Sequence, residues 1–159
     1  MLPLKGDFRW LAQASPWCKP PRMSALETTG HCLCGRVRYR ATGEPKFRCY
    51  CHCESCRRAT GAPVTAYAGY LVENFQFEGE PPSRYASSPP VTRTFCAHCG
   101  TPLTFETADR PGEIHLLVGS ATDPAAAHLT PQRHVFENER ISWVQFGDDL
   151  PRKSAVPSV

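Results

Sequence analysis

Polar and apolar side chains alternate most clearly over residues 35–41, GRVRYRA, where Val37, Tyr39 and Ala41 fall on one face and Arg36, Arg38 and Arg40 on the other. A period of two marks a half-buried strand, and the three arginines then read as its solvated face. Further short β-rich runs follow: PVTAYAGYL at 63–71, FQFEG at 75–79, VTRTF at 91–95, TPLTF at 101–105, EIHLLVGS at 113–120, RHVFE at 133–137 and SWVQF at 142–146. Gly, Pro, Asp and Asn separate them. Segments this short and closely spaced predict an all-β fold rather than βαβ units. Helix is expected only in brief pieces, at ESCRRAT (54–60) and DPAAAH (123–128), where Asp123 can cap a turn.

The composition, 41% hydrophobic and 21% charged over 159 residues, is that of one globular domain able to bury a core. Apolar runs such as LLV at 116–118 fall far short of the roughly 20 residues a membrane-spanning helix needs, so no membrane partner is expected. Residues 1–22, MLPLKGDFRWLAQASPWCKPPR, show neither helical nor strand periodicity and lack the apolar core of a secretory signal. They read as a tail, an extension from an upstream start ahead of Met23. The domain is expected over 23–153, a short C-terminal tail over 154–159, and the location is expected to be cytoplasmic. In a reducing compartment nine cysteines, an odd number, point to metal ligands rather than disulfides, with Cys18 in the tail a spare thiol.

The other cysteines form three groups: Cys32-Leu33-Cys34-Gly35, the run CYCHCESC at 49–56, and Cys96-Ala97-His98-Cys99-Gly100. Zinc takes four ligands at tetrahedral corners with Zn–S near ~2.3 Å, which sets sulfurs on one ion about 3.8 Å apart. Cys-x-Cys and Cys-x-x-Cys each supply such a pair from one bend, and the glycines after Cys34 and Cys99 suit those bends. Cys32, Cys34, Cys96 and Cys99 together make a complete four-thiolate site, structural because no position is left open. Cys51, Cys53 and Cys56 can wrap a second ion. Cys49 would lie roughly 13 Å from Cys53 in an extended chain, and joins them only if the strand turns sharply. Three protein ligands and an open position are how catalytic zinc is built; a second closed site, completed by Cys49 or an incoming His, is the alternative. His52 alternates to the opposite face and reads as a packing or hydrogen-bonding residue.

Arg57 and Arg58 directly follow the last of these ligands, placed to receive carboxylates as charge-assisted pairs, and Thr60 and Gly61 can shape the same mouth. His98 and His134 are weaker candidates for proton carriers, since a lone histidine usually has a structural task. Charge is uneven, +7 through residue 60 and −4 beyond it, an asymmetry that can mark nucleic-acid binders. Seven thiolates on two Zn²⁺ ions would bring the net charge of +3 to zero, so a nonspecific polyanion is not the expected partner.

In their order, GHCLCGRVRY, CHCESCRRATGAP, FCAHCGTPL and PQRHVF…ISWVQFGDDLP resemble the glutathione-dependent formaldehyde-activating family, which includes the centromere protein V group; the resemblance spans about residues 29–151. His31 stands where that family often has a second glycine. The resemblance implies a mainly-β fold, a β-tent of small antiparallel sheets around zinc sites with few short helices. It implies two Zn²⁺ per chain, a structural one on Cys32, Cys34, Cys96 and Cys99 and a catalytic one on Cys51, Cys53 and Cys56. The implied activity is that of a carbon–sulfur lyase acting on adducts of glutathione, or another thiol, with formaldehyde or a small aldehyde. The partner would then be a small-molecule thiol such as glutathione. The alternative is a non-catalytic zinc module that binds protein or nucleic acid.

Overall fold

The strands are laid down largely as hairpins. In the computed structural model, which describes residues 26–155, they are β1 Glu27–His31, β2 Val37–Thr42, β3 Phe47–Cys51, β4 Thr65–Leu71, β5 Phe75–Gly79, β6 Ser83–Ser88, β7 Val91–Phe95, β8 Pro102–Thr107, β9 Glu113–Leu117, β10 His134–Val135 and β11 Arg152–Lys153. The one α-helix among the described residues, α1, is Glu54–Thr60, the ESCRRAT piece. The tail expected over 1–22 lies outside the described residues. The fold is mainly β.

Strands β1, β2 and β5 make a three-stranded antiparallel sheet, with Tyr39 opposite both Gly30 and Phe77. The larger sheet has the order β11-β10-β3-β4-β9-β8-β7-β6. It is antiparallel from β3 to β6, while β10 pairs in parallel with β3 and β11. Val37, Tyr39 and Ala41 face the core as the alternation predicts, packed against Ala68 and Tyr70 of β4, Leu103 of β8 and Ile114 and Leu116 of β9. On the other face of β2, Arg36 pairs with Glu80 at 2.8 Å and Arg40 with Glu27 and Glu78 at 2.5 and 3.0 Å. The arginines are a solvated face.

Strands β4 and β9 sit inside the larger sheet and are buried on both sides. Their second face carries Tyr67 and Leu117, which pack with Cys49 and Cys51 of β3, Cys56 of α1 and Val135 of β10 in a separate cluster. That cluster is the floor of the site described below.

Some elements differ from expectation. SWVQF forms no strand: Trp143 is exposed while Val144 is buried and Phe146 packs on Tyr50, His52 and His134, so its apolar residues serve as single plugs rather than one sheet face. DPAAAH yields only a 3-10 turn over Ala127–Leu129, with no side-chain cap, and the Asp123 carbonyl instead accepts from the Ala126 N–H. Polar β6, SRYASS, is an edge strand held by its hairpin with β7, and no hydrophobic pattern announced it.

Candidate metal centres and the adjoining cavity

Two hairpin turns bring four cysteines together. Cys32 and Cys34 lie between β1 and β2, Cys96 and Cys99 between β7 and β8. Each turn closes onto its first cysteine: the Gly35 N–H donates to the Cys32 carbonyl three residues back and the Gly100 N–H to the Cys96 carbonyl four residues back, both at 2.9 Å. Both glycines are left-handed, at φ 75° and 73°, a conformation a side chain would strain. Sγ atoms of Cys32 and Cys34 are 3.4 Å apart and those of Cys34 and Cys96 3.7 Å, close to the ~3.8 Å edge of a tetrahedral zinc–thiolate site and far from a ~2.05 Å disulfide. The Thr101 hydroxyl, 3.2 Å from Cys99, pulls that thiol down to about 5. The Leu33 N–H also donates to Thr101 Oγ1, which ties the two turns together.

The second group assembles around the start of α1. Cys51 ends β3, Cys53 caps the helix by accepting from the Cys56 N–H at 3.3 Å, and Cys56 lies one turn in. Cys51 and Cys53 sulfurs are 3.5 Å apart, and the buried Tyr67 hydroxyl donates to Cys56 Sγ at 3.4 Å. Thiols of Cys51 and Cys53, then Tyr67, donate to Cys56 and pull it down to about 2; the reciprocal contacts with Cys53 and Cys56 push Cys51 far above the thiol range. The three sulfurs thus compete for negative charge, which Cys51 and Cys53 lose and Cys56 gains. All three become thiolates only if a dication sits between them, so the donor set fits zinc. The three can hold one ion as a group, and Cys49 is not in that group. It shares their strand face one pleat away from Cys51, its thiol pushed up to about 12 by burial.

Cys51, Cys53 and Cys56 line a cavity of about 500 Å³, within the range of small-molecule sites. Arg93 of β7 and Arg110 also line it, their guanidinium groups 5.1 Å from the Phe105 ring centre and 5.6 Å from that of Phe47. Arg93 reaches toward Cys56 and Tyr67, which raise its pKa against the effect of burial. His115 of β9 completes this wall, edge-on to Phe47, with Nε2 3.4 Å from a buried Glu113 carboxylate. Burial drives its pKa down to about 4, so the ring is neutral near pH 7.

Arg57 and Arg58 stand elsewhere. Arg57 is engaged by backbone carbonyls, those of His52 and, at 2.6 Å, Glu139. Arg58 is largely exposed and pairs with Glu54 at 2.7 Å; it borders a second cavity of about 610 Å³, which Thr60 and Arg93 also line. The Thr60 hydroxyl donates to the Cys56 carbonyl, and Gly61 ends the helix. His98 is exposed beside Glu80. His52 and His134 are fully buried and bonded to each other, and with Glu137 they form a third group of ligand-type side chains. Arg93, Arg110 and His115 went unnoticed in the sequence because strand position, not spacing from a cysteine motif, brings them in. Alternation did hold the signal for two: Arg93 is central in VTRTF, and His115 is a polar residue inside an apolar strand.

Fold and site together define a mainly-β protein with cysteine-rich groups that can hold metal ions. The chain belongs to the glutathione-dependent formaldehyde-activating enzyme family, whose profile matches residues 27–139. It is 40% identical over 80 residues to a Schizosaccharomyces pombe protein named an uncharacterized lyase, covering 50% of this chain and 57% of that one. The chain therefore spans little more than half the length of that relative. Among solved structures it is similar to a Rhodobacter sphaeroides protein, at 23% identity and a TM-score of 0.46, over 58% of this chain and 85% of the other. Among the described residues no helix is long and apolar enough to cross a membrane.

Proposed function

We propose that this chain is a zinc-dependent carbon–sulfur lyase acting on adducts of glutathione, or a related anionic thiol, with formaldehyde or another small aldehyde. The observation that carries the reading is the convergence of Cys51, Cys53 and Cys56 on the wall of a roughly 500 Å³ cavity whose other walls hold two arginines. Family membership and the lyase-named relative support it. Zinc bound by the three cysteines would supply a Lewis acid that favours a thiolate, or polarises a carbonyl, near neutral pH.

The chain's own residues account for binding and orientation. Glutathione carries two carboxylates, and Arg93 and Arg110 offer charge-assisted partners for them from one side of the cavity. Phe47 and Phe105 back those arginines and give the thiol's carbon chain an apolar wall. Tyr67 holds Cys56 by its hydroxyl, and neutral His115 offers a ring to hydrogen-bond the reacting oxygen. In the forward direction a carbon–sulfur bond forms and the thiol proton ends on the former carbonyl oxygen; the lyase direction reverses both changes.

The test is exchange NMR of glutathione with formaldehyde, alongside calorimetry of glutathione and its diester, on zinc-loaded protein. Accelerated exchange and tighter binding of the free acid are expected. No binding at millimolar concentration, with exchange no faster than without protein, overturns the assignment in favour of a non-catalytic zinc module.

A further inference from the structure

The two Cys-x-Cys bends treat their middle residue in opposite ways. Leu33, between Cys32 and Cys34, is 85% exposed, whereas His52, between Cys51 and Cys53, is 0% exposed and held by hydrogen bonds at its backbone N–H, its carbonyl and its ring Nε2. Its N–H donates to the Val135 carbonyl at 3.1 Å and its own carbonyl accepts from Arg57. Its ring Nε2 lies 2.8 Å from Nδ1 of His134, and Nε2 of His134 lies 3.1 and 3.2 Å from the two Asp148 oxygens. Phe146 packs edge-on against both rings.

We infer that His134 and Asp148 are positioning residues: through His52 they hold the Cys51–Cys53 bend so that its sulfurs converge with Cys56. The inference rests on reading that bend as a metal site. A carboxylate only accepts, so His134 donates from Nε2; a neutral ring then has its lone pair on Nδ1, and His52 donates into it from Nε2. The atoms left without partners agree with this direction. Buried His52 Nδ1 is an acceptor under this assignment, and an unmet acceptor is better tolerated than an unmet N–H; Glu137 Oε2, 3.4 Å from His52 Nε2, is an acceptor facing the same donor. His52, His134 and Glu137 have the makings of a metal site themselves, but the direct 2.8 Å contact is a hydrogen bond, and Arg140 and Arg152 already occupy Glu137 Oε1 at 2.6 and 3.3 Å.

The need for such a clamp follows from coordination number. Four thiolates drawn from two distant hairpins fix one another through their ion. Three thiolates on a single bend must be held in place by what surrounds them if a position is to stay open for substrate. Asp148 lies beyond residues 27–139 matched by the family profile, so this part of the clamp belongs to the chain's C-terminal segment.

Zinc-loaded full-length wild type is compared with His134→Phe, which keeps a ring against Phe146 and removes both hydrogen bonds, and with Asp148→Asn. Nitrogen-15 imidazole NMR should show His52 as the Nε2–H tautomer alone in wild type and as a mixture in the variants. In competitive chelator titration both variants should hold the Cys51, Cys53 and Cys56 zinc at least about tenfold more weakly, a size seen for outer-shell partners, with the four-cysteine zinc unchanged. An unchanged ratio of the two affinities, an Nδ1–H tautomer at His52, or a third zinc equivalent lost in His134→Phe overturns the inference. If wild type holds a single zinc, the functional reading fails by itself. The clamp is then decided by the tautomer and by alkylation of Cys51 and Cys53, which must be faster in both variants for it to stand.

Discussion

Replacing Cys99 with Ser should cost about twice the stability that replacing Cys53 with Ser does, although each removes one zinc-type ligand. Cys34 and Cys96 meet at 3.7 Å across a sequence separation of 62 residues, so an ion shared by the two hairpins would act as a long-range cross-link. In the chain-entropy account such a link removes about 14 cal/mol/K from the unfolded chain, or about 4 kcal/mol at 25 °C. Cys51, Cys53 and Cys56 close only about five residues, for which the same expression yields about 2 kcal/mol. At roughly 3 °C per kcal/mol for a domain of this size, Cys99→Ser should lower the melting temperature by about 10–15 °C and Cys53→Ser by about half as much. Thermal unfolding followed by circular dichroism, with zinc counted by elemental analysis on the same samples, measures both. Excess chelator should bring wild type down to or below Cys99→Ser, because structural zinc binding is folding free energy. Equal shifts for the two variants, or metal-replete wild type with less than about one zinc per chain, would refute the division of labour between the sites.

Three further outcomes are expected. Changing Arg93 and Arg110 together to Gln should weaken glutathione binding by about tenfold or more while leaving zinc in place, as for charge-assisted contacts in a partly buried site; Arg57→Gln with Arg58→Gln is the competing pair, and a larger loss there by calorimetry would return the carboxylates to α1. His115 takes up a proton near 6.5 when unfolded but only at about 4 when folded, so the unfolded state binds more protons between those values and the fold loses up to about 3 kcal/mol as pH falls through that window. His115→Gln should lack this part of the slope, and stability–pH curves parallel to wild type would contradict it. Gly30→Ala places a Cβ 2.0 Å from the Tyr39 hydroxyl and 2.5 Å from the Ser120 carbonyl, and should destabilise by about 2 kcal/mol in denaturant titrations; a neutral result would mean the β1–β2 pair is looser than described.

Much of this was legible where one local rule sufficed. GRVRYRA became β2 with the expected faces because alternation and burial are the same fact there, and ESCRRAT became α1 because a capping Cys53 and a terminal Gly61 bracket it. Both cysteine groups could be sorted by spacing, since two sulfurs on one bend are held together whatever the rest of the chain does. What stayed hidden depends on contacts between distant segments. Alternation singles out Arg93 within VTRTF but not the cavity it faces, and nothing near Arg110 in the chain marks it at all; the sheet order sets β7 beside β8 and opens the same wall. RHVFE and SWVQF have the β-branched and aromatic residues of strands, but only His134 and Val135 pair, in parallel with β3, while Phe146 folds over the two histidines.

Strand β9 shows why fold and site could not be read separately. All five of its residues are buried, yet for different reasons: Ile114 and Leu116 face the main core, while Glu113, His115 and Leu117 face the side that carries the cysteine cluster and the cavity. A buried carboxylate is costly unless paired, and Glu113 is paired three ways, with Lys46 at 2.5 Å, Arg110 at 3.6 Å and His115 at 3.4 Å. Those partners come from the residue before β3, the turn between β8 and β9, and β9 itself, so the network that compensates the buried charge also sets Arg110 and His115 at the cavity wall. A polar residue in such a strand therefore carries information: the charge is tolerated in the interior because three partners compensate it, and two of those partners, Arg110 and His115, line the cavity.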